Sequence, residues 1–207
     1  MTRLAGDKAT LRRELRSAVA ALDEQQRHDA SADIAARVVA LPEWNRASVV
    51  MLYMALPSEV QTAALALRAW QDGKTVCLPR VDFEQRRMIA VTVASFSDDM
   101  DTVPGATGDG KQLLQPTAGQ PMPLREIDLV LVPGLGFTCD GKRIGRGGGF
   151  YDRFLSSNDD AGGFFGTTLG VGFACQLVDD LPTQPHDIRL DLVATPNAVH
   201  RNCGEVL

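Results

Sequence analysis

A chain of 207 residues, 44% hydrophobic and 23% charged, has enough apolar content for a packed core, which excludes global disorder. A net charge of −5 and a pI near 5.2 argue against a protein that tracks a phosphodiester backbone, so no nucleic-acid partner is expected. Cys77, Cys139, Cys175 and Cys203 form no Cys-x-x-Cys pair, and His28, His186 and His200 are scattered, which argues against a zinc site or a disulfide scaffold.

Leu11, Leu15, Ala18, Val19 and Leu22 fall at helical spacing, and Asp7 is placed to cap that first helix. Lys8 and Arg12 are four apart on it, so two cations project side by side. A second helix opens at Asp23, with Gln26 completing a capping box, and is expected to stop at Pro42. Ser48–Met54 reads as a strand buried on both faces, of the kind found in parallel sheets. Glu59–Gln71 returns to the helical period, with Gly73 at its carboxyl end, and Thr75–Leu78 is a strand closed by Pro79.

Met88–Val93 alternates as a strand, whereas Ser95–Pro123 is polar, rich in Gly and Pro, and reads as a surface excursion. Asp128–Val132 is the clearest buried strand. A loop, a helix from Phe150 to Ser157, and strands at Thr167–Phe173 and Leu192–Thr195 follow. This alternation predicts an α/β fold: a single three-layer α/β/α domain over 1–207 with a mainly parallel, Rossmann-like sheet. No run approaches the roughly 18 apolar residues of a membrane span, and Met1–Lys8 lacks a secretory apolar core. A cytoplasmic monomer without membrane contact is the expectation.

The chemistry concentrates in Pro133–Asp152, PGLGFTCDGKRIGRGGGFYD. A buried strand ends, glycines follow at 134, 136, 141, 145, 147, 148 and 149, and then a helix begins. Backbone amides in such a loop turn toward a ligand without a Cβ in the way, and a helix amino terminus adds partial positive charge. Lys142, Arg143 and Arg146 add full charges, so the segment suits a polyphosphate. Asp152, on the first turn of the following helix, can hold Mg²⁺ beside phosphate oxygens. Gly105–Lys111 (GATGDGK) has the spacing of a P-loop, but Gln112 stands where its hydroxyl residue belongs, and no strand precedes it. It reads as a loop.

The stretch VPGLGFTCDGKRIGRGGGFYDRFL resembles the signature of the 5-formyltetrahydrofolate cyclo-ligase family. In the same order, Lys8-x-x-x-Arg12, Tyr53–Thr62 (YMALPSEVQT), Cys77–Val81 (CLPRV) and His186–Thr195 (HDIRLDLVAT) resemble further family segments, so the likeness spans nearly the whole chain. It departs at Thr138, where an aspartate is frequent, at Phe150, where a tyrosine is, and at Gln61.

The resemblance implies ATP- and Mg²⁺-dependent cyclisation of 5-formyltetrahydrofolate to 5,10-methenyltetrahydrofolate. By the same carry-over, Lys8, Arg12, Arg143, Ile144, Gly145, Arg146, Gly147, Gly148, Gly149, Phe150 and Tyr151 bind the nucleotide. Met54, Glu59 and Tyr151 line the folate site, Arg143, Arg146 and Glu59 serve catalysis, and Asp152 and Asp187 bind Mg²⁺. A paralogue acting on a thiamine- or pterin-related substrate, or a non-catalytic nucleotide- or folate-binding protein, could carry the same motifs.

Overall fold

The structure, a computed structural model, describes residues 8–96, 100–103, 113–157 and 163–202. Asp7, Cys203 and the Gly105–Lys111 stretch with Gln112 lie outside them. The first helices are α1 (Lys8–Ala20), α2 (Glu24–Ala40) and α3 (Pro42–Arg46), followed by strand β1 (Val49–Met51) and helix α4 (Ala63–Gln71). The Asp23 box forms: its carboxylate accepts from the Gln26 amide at 2.7 Å, and the Gln26 side chain accepts from the Asp23 amide at 2.9 Å. Pro42 ends α2 but also opens α3, because its fixed φ suits a first helical position.

Next come β2 (Thr75–Asp82), β3 (Arg87–Val93), β4 (Met100–Val103), β5 (Leu113–Pro116), β6 (Pro121–Met122) and β7 (Leu129–Val132). The short β8 (Gly136–Phe137) and β9 (Arg143–Ile144) pair with each other ahead of α5 (Phe150–Ser156). Strands β10 (Thr167–Val171), β11 (Leu192–Ala194) and β12 (Val199–Arg201) complete the order.

The main sheet runs β12-β11-β10-β7-β1-β2-β3-β6, with five parallel strands flanked by antiparallel edges. Successive residues of its central strands enter different cores. Val50, Leu129, Leu131 and Leu169 pack against α2, α3 and α4, with Trp44 fully buried among them. Met51, Val130, Val132 and Val193 face the other way, toward Phe154 and Leu155 of α5, toward Phe137 of the short β8 and toward Leu190 from a loop. The second layer is therefore thin, with side chains from the short β8 and a loop doing part of a helix's covering. Asp128 ties β1 to β7 at their amino ends by accepting from the Ser48 and Val49 amides at 2.7 and 2.9 Å.

Three expectations need correction. β2 does not close at Pro79 but continues to Asp82 as one arm of a hairpin with β3. The helix expected from Glu59 begins only at Ala63, because residues 56–59 fold into a turn of their own. The polar excursion carries β4, β5 and β6, with β5 laid against β2. Among the described residues no helix is long and apolar enough to cross a membrane.

Candidate active site

In chain order the five parallel strands are β1, β2, β7, β10 and β11, whereas in space they run β2-β1-β7-β10-β11. The direction of winding reverses between β1 and β7, and the crevice beyond the carboxyl ends at such a reversal is the usual ligand site of open α/β sheets. A cleft of about 590 Å³ lies there. Tyr53 and Met54, just after β1, and Pro133 and Gly134, just after β7, form its floor. Every nucleotide, folate and metal residue expected from the sequence lines this one cleft.

Its two ends differ in chemistry. Lys8, Arg12 and Arg16 of α1 meet Gln184, His186 and Asp187 at one end. Pro79, Val81 and Phe83 from the β2–β3 hairpin, Met88, Leu114 and Phe150 make an apolar wall at the other. Phe83 and Phe150 meet edge to face, centroids 5.4 Å apart, so phenylalanine at 150 packs the wall where a tyrosine hydroxyl would need a partner.

Between the ends runs the Gly145–Gly149 loop. Gly147 has φ +108°, a conformation closed to most side chains, and a Cβ at Gly145 would sit 2.8 Å from the Arg143 guanidinium. Arg12 donates to the Gly145 carbonyl at 2.9 Å and so fixes the loop to α1. Helix α5 is only two turns long, so its dipole is minor beside these full charges. Lys142 is not part of the cleft: it donates to Asp180 at 2.6 Å, while its amide is accepted by Thr138.

Arg143 is buried. It donates to Asp152 Oδ1 at 2.7 Å and to the Pro133 carbonyl at 3.3 Å, and its Nε has no partner among the described residues. The buried Tyr151 hydroxyl is likewise unpartnered. Burial pushes its phenol up, Glu59 adds to the rise, and Arg143 opposes it, so the group is a neutral donor at physiological pH.

Glu59 is held by its own turn, accepting from the Leu56 amide at 3.0 Å through Oε2, while Oε1 accepts from Arg146 Nε at 3.0 Å. Gln61 donates to the Leu56 and Glu59 carbonyls, Thr62 to Tyr53, and Tyr53 to Val60. Segment 53–62 is thus knit rigid by its own side chains, and Gln61 supports the turn rather than entering the cleft.

Asp187 accepts from Lys8 at 2.8 Å and from the Gln184 amide at 2.7 Å, both through Oδ2. Burial works against its charge, but those bonds and the nearby Lys8 and His186 charges hold its carboxyl below the ordinary value. Asp152 Oδ1 accepts from the amide of Ile188, the residue after Asp187, so both carboxylates belong to one corner of the cleft. Each leaves its second oxygen without a hydrogen bond to a described residue. Two carboxylates with spare oxygens suit a hard cation that completes its shell with phosphate and water; no larger His, Cys, Asp or Glu cluster occurs among the described residues.

A family model for the 5-formyltetrahydrofolate cyclo-ligase family matches residues 5–196. The chain belongs to that family. Relatives named 5-formyltetrahydrofolate cyclo-ligase include a mouse protein, 27% identical over 194 residues, covering 90% of this chain and 92% of the relative. Another, from Haemophilus influenzae, is 29% identical over 181 residues and covers 87% and 92%. The solution structure of Aquifex aeolicus 5,10-methenyltetrahydrofolate synthetase superposes with a TM-score of 0.78 at 27% identity, over 96% of this chain and 94% of that one. A Mycoplasma pneumoniae 5,10-methenyltetrahydrofolate synthetase shares the fold, with a TM-score of 0.70 at 21% identity. The cyclo-ligase family member described here is an enzyme of the ligase class.

Sequence reasoning missed the apolar wall, Arg16, Gln184 and the position of His186 in this family member. Arg16 was findable, since it continues the four-residue spacing of Lys8 and Arg12. Phe83 and Leu114 carried no such signal, because a hairpin and a separate strand bring them in from afar.

Proposed function

We propose that this ligase cyclises 5-formyltetrahydrofolate to 5,10-methenyltetrahydrofolate, using ATP and releasing ADP and phosphate. The observation that carries the reading is the bipolar cleft: a cationic end suited to a polyphosphate and an apolar end suited to a fused ring meet at Glu59 and Arg146. Lys8, Arg12, Arg143 and the amides of Gly145–Gly149 hold the phosphates, with Ile144 and Phe150 bordering them. Asp152 and Asp187 would hold Mg²⁺, which neutralises phosphate charge when bound. Met54, Glu59 and Tyr151 receive the pterin side, with Tyr151 as hydroxyl donor and Glu59 as acceptor.

The formyl oxygen is a poor leaving group. Transfer of the γ-phosphoryl forms an O–P bond at that oxygen and breaks the bond to the β-phosphate oxygen. N10 then attacks the formyl carbon, its proton is lost, and the C–O bond breaks to release phosphate. Such transfer depends on positioning and charge stabilisation, which Arg143, anchored to the Pro133 carbonyl, and Arg146, held by Glu59 within the glycine loop, supply on this reading. The test is purified protein with 5-formyltetrahydrofolate and Mg·ATP, followed by the near-ultraviolet absorbance of the methenyl product. An ATP-dependent band is expected; its absence, with ATP binding verified by calorimetry, would overturn the assignment of substrate.

A further inference from the structure

Helix α1 presents two parallel rows at four-residue spacing. One is apolar: Leu11, Leu15 and Val19, with Leu15 packed on the core that holds Leu135, Ile144 and Leu181. The other, one position further along, is Lys8, Arg12 and Arg16, all lining the cleft. Packing of the first row therefore fixes where the second one points. Like charges one turn apart repel, and no carboxylate of α1 lies in that row to relieve them.

The three cations are not equivalent. Lys8 is engaged by Asp187 and Arg12 by the Gly145 carbonyl. Arg16 is exposed, borders the cleft, and makes no hydrogen bond or ion pair with any described residue. Its neighbour Arg13 is exposed as well but faces away from the cleft, as a solvating surface charge does. From Lys8 to Arg16 the row extends about 12 Å along the helix axis. Arg16 therefore stands one helical turn beyond Arg12, at the outer end of the row.

We propose that Arg16 is a third anion-binding residue of the cleft, taking an oxyanion of a bound substrate at the outer end of the row. The oxyanion is either a nucleotide phosphate or a carboxylate of the folate's glutamyl tail. The proposal rests on the reading of the cleft as a nucleotide and folate site, so the test measures binding directly. Wild type, Arg16→Ala and Arg16→Lys are titrated by calorimetry with Mg·ATP, with monoglutamyl 5-formyltetrahydrofolate and with its triglutamyl form.

The expected result is a loss of about three- to tenfold in affinity for one probe in Arg16→Ala, largely restored in Arg16→Lys, at unchanged thermal stability. Loss confined to Mg·ATP identifies the phosphate as the source, and loss confined to the triglutamyl form identifies the tail. Equal affinities of wild type and Arg16→Ala for all three probes would overturn the role of Arg16. Failure of the wild type to bind any of them would overturn the underlying site reading instead.

Discussion

Arg143 occupies a position where charge is costly, only 9% exposed with its Nε unpartnered. A buried ion pair is sustained only when geometry and further hydrogen bonds compensate the lost hydration, and here Asp152 and the Pro133 carbonyl do so incompletely. On the proposed reading the spare donor is completed by phosphate. Arg143→Ala is a poor probe, since it strands Asp152 without its cation. Arg143→Lys keeps the charge but loses the planar fork, and should lower kcat/KM for Mg·ATP on the order of 100-fold while the melting temperature falls by only a few degrees. An unchanged kcat/KM would remove Arg143 from the phosphate site. At Thr138, one of the positions where the sequence departs from the family resemblance, the hydroxyl donates to Asp140 and accepts from the Lys142 amide, so the loop keeps a carboxylate two residues later.

Among elements, the informative contact joins α3 to the edge strand β12. Glu43 accepts from Arg201 at 2.8 and 3.3 Å, and this bond, against the opposing effect of burial, holds its carboxyl below the usual 4.5. Because the folded value is depressed, the stabilisation is present above the unfolded value and lost as pH falls through the folded one. Glu43→Gln should therefore destabilise by about 1 kcal/mol at pH 7, with the difference from wild type closing below about pH 4.5. Chemical denaturation at several pH values reads this directly; a gap independent of pH would show that the charge contributes nothing.

The five parallel strands were legible as short apolar runs, and the start of α2 as a capping box, because those signals are local. β2 was cut short because Pro79 cannot donate to a ladder. In the fold, β1 pairs with β2 only as far as Cys77, so Pro79 lies where one side of the strand is already an edge and the missing amide is tolerated. β12 was invisible because three residues with two polar side chains make no pattern. The glycine loop was legible for the opposite reason, its charges and glycines being packed into one segment, whereas the apolar wall depends on pairing between distant strands.

At the scale of the whole molecule, the reversal of winding between β1 and β7 gathers residues from both ends of the sequence into one crevice. Residues separated by up to 179 positions meet there, as Lys8 and Asp187 do. A substitution that loosens the sheet far from the cleft therefore reaches the site through the strand ends rather than through any contact with ligand.

The cations of that crevice differ in depth, and depth decides how far dissolved ions can interfere. The Debye length shrinks from about 10 Å at 0.1 M salt to about 3 Å at 1 M, which weakens exposed charges and spares buried ones. Lys8 retains 24% side-chain exposure and Arg16 is exposed, whereas the Arg143 side chain retains 6%. Rising ionic strength should thus raise KM for Mg·ATP while leaving kcat nearly unchanged, and a parallel fall in kcat would mean that water reaches Arg143. On the proposed reading, capture of the anion and the chemistry performed on it would be separately addressable by nothing more specific than sodium chloride.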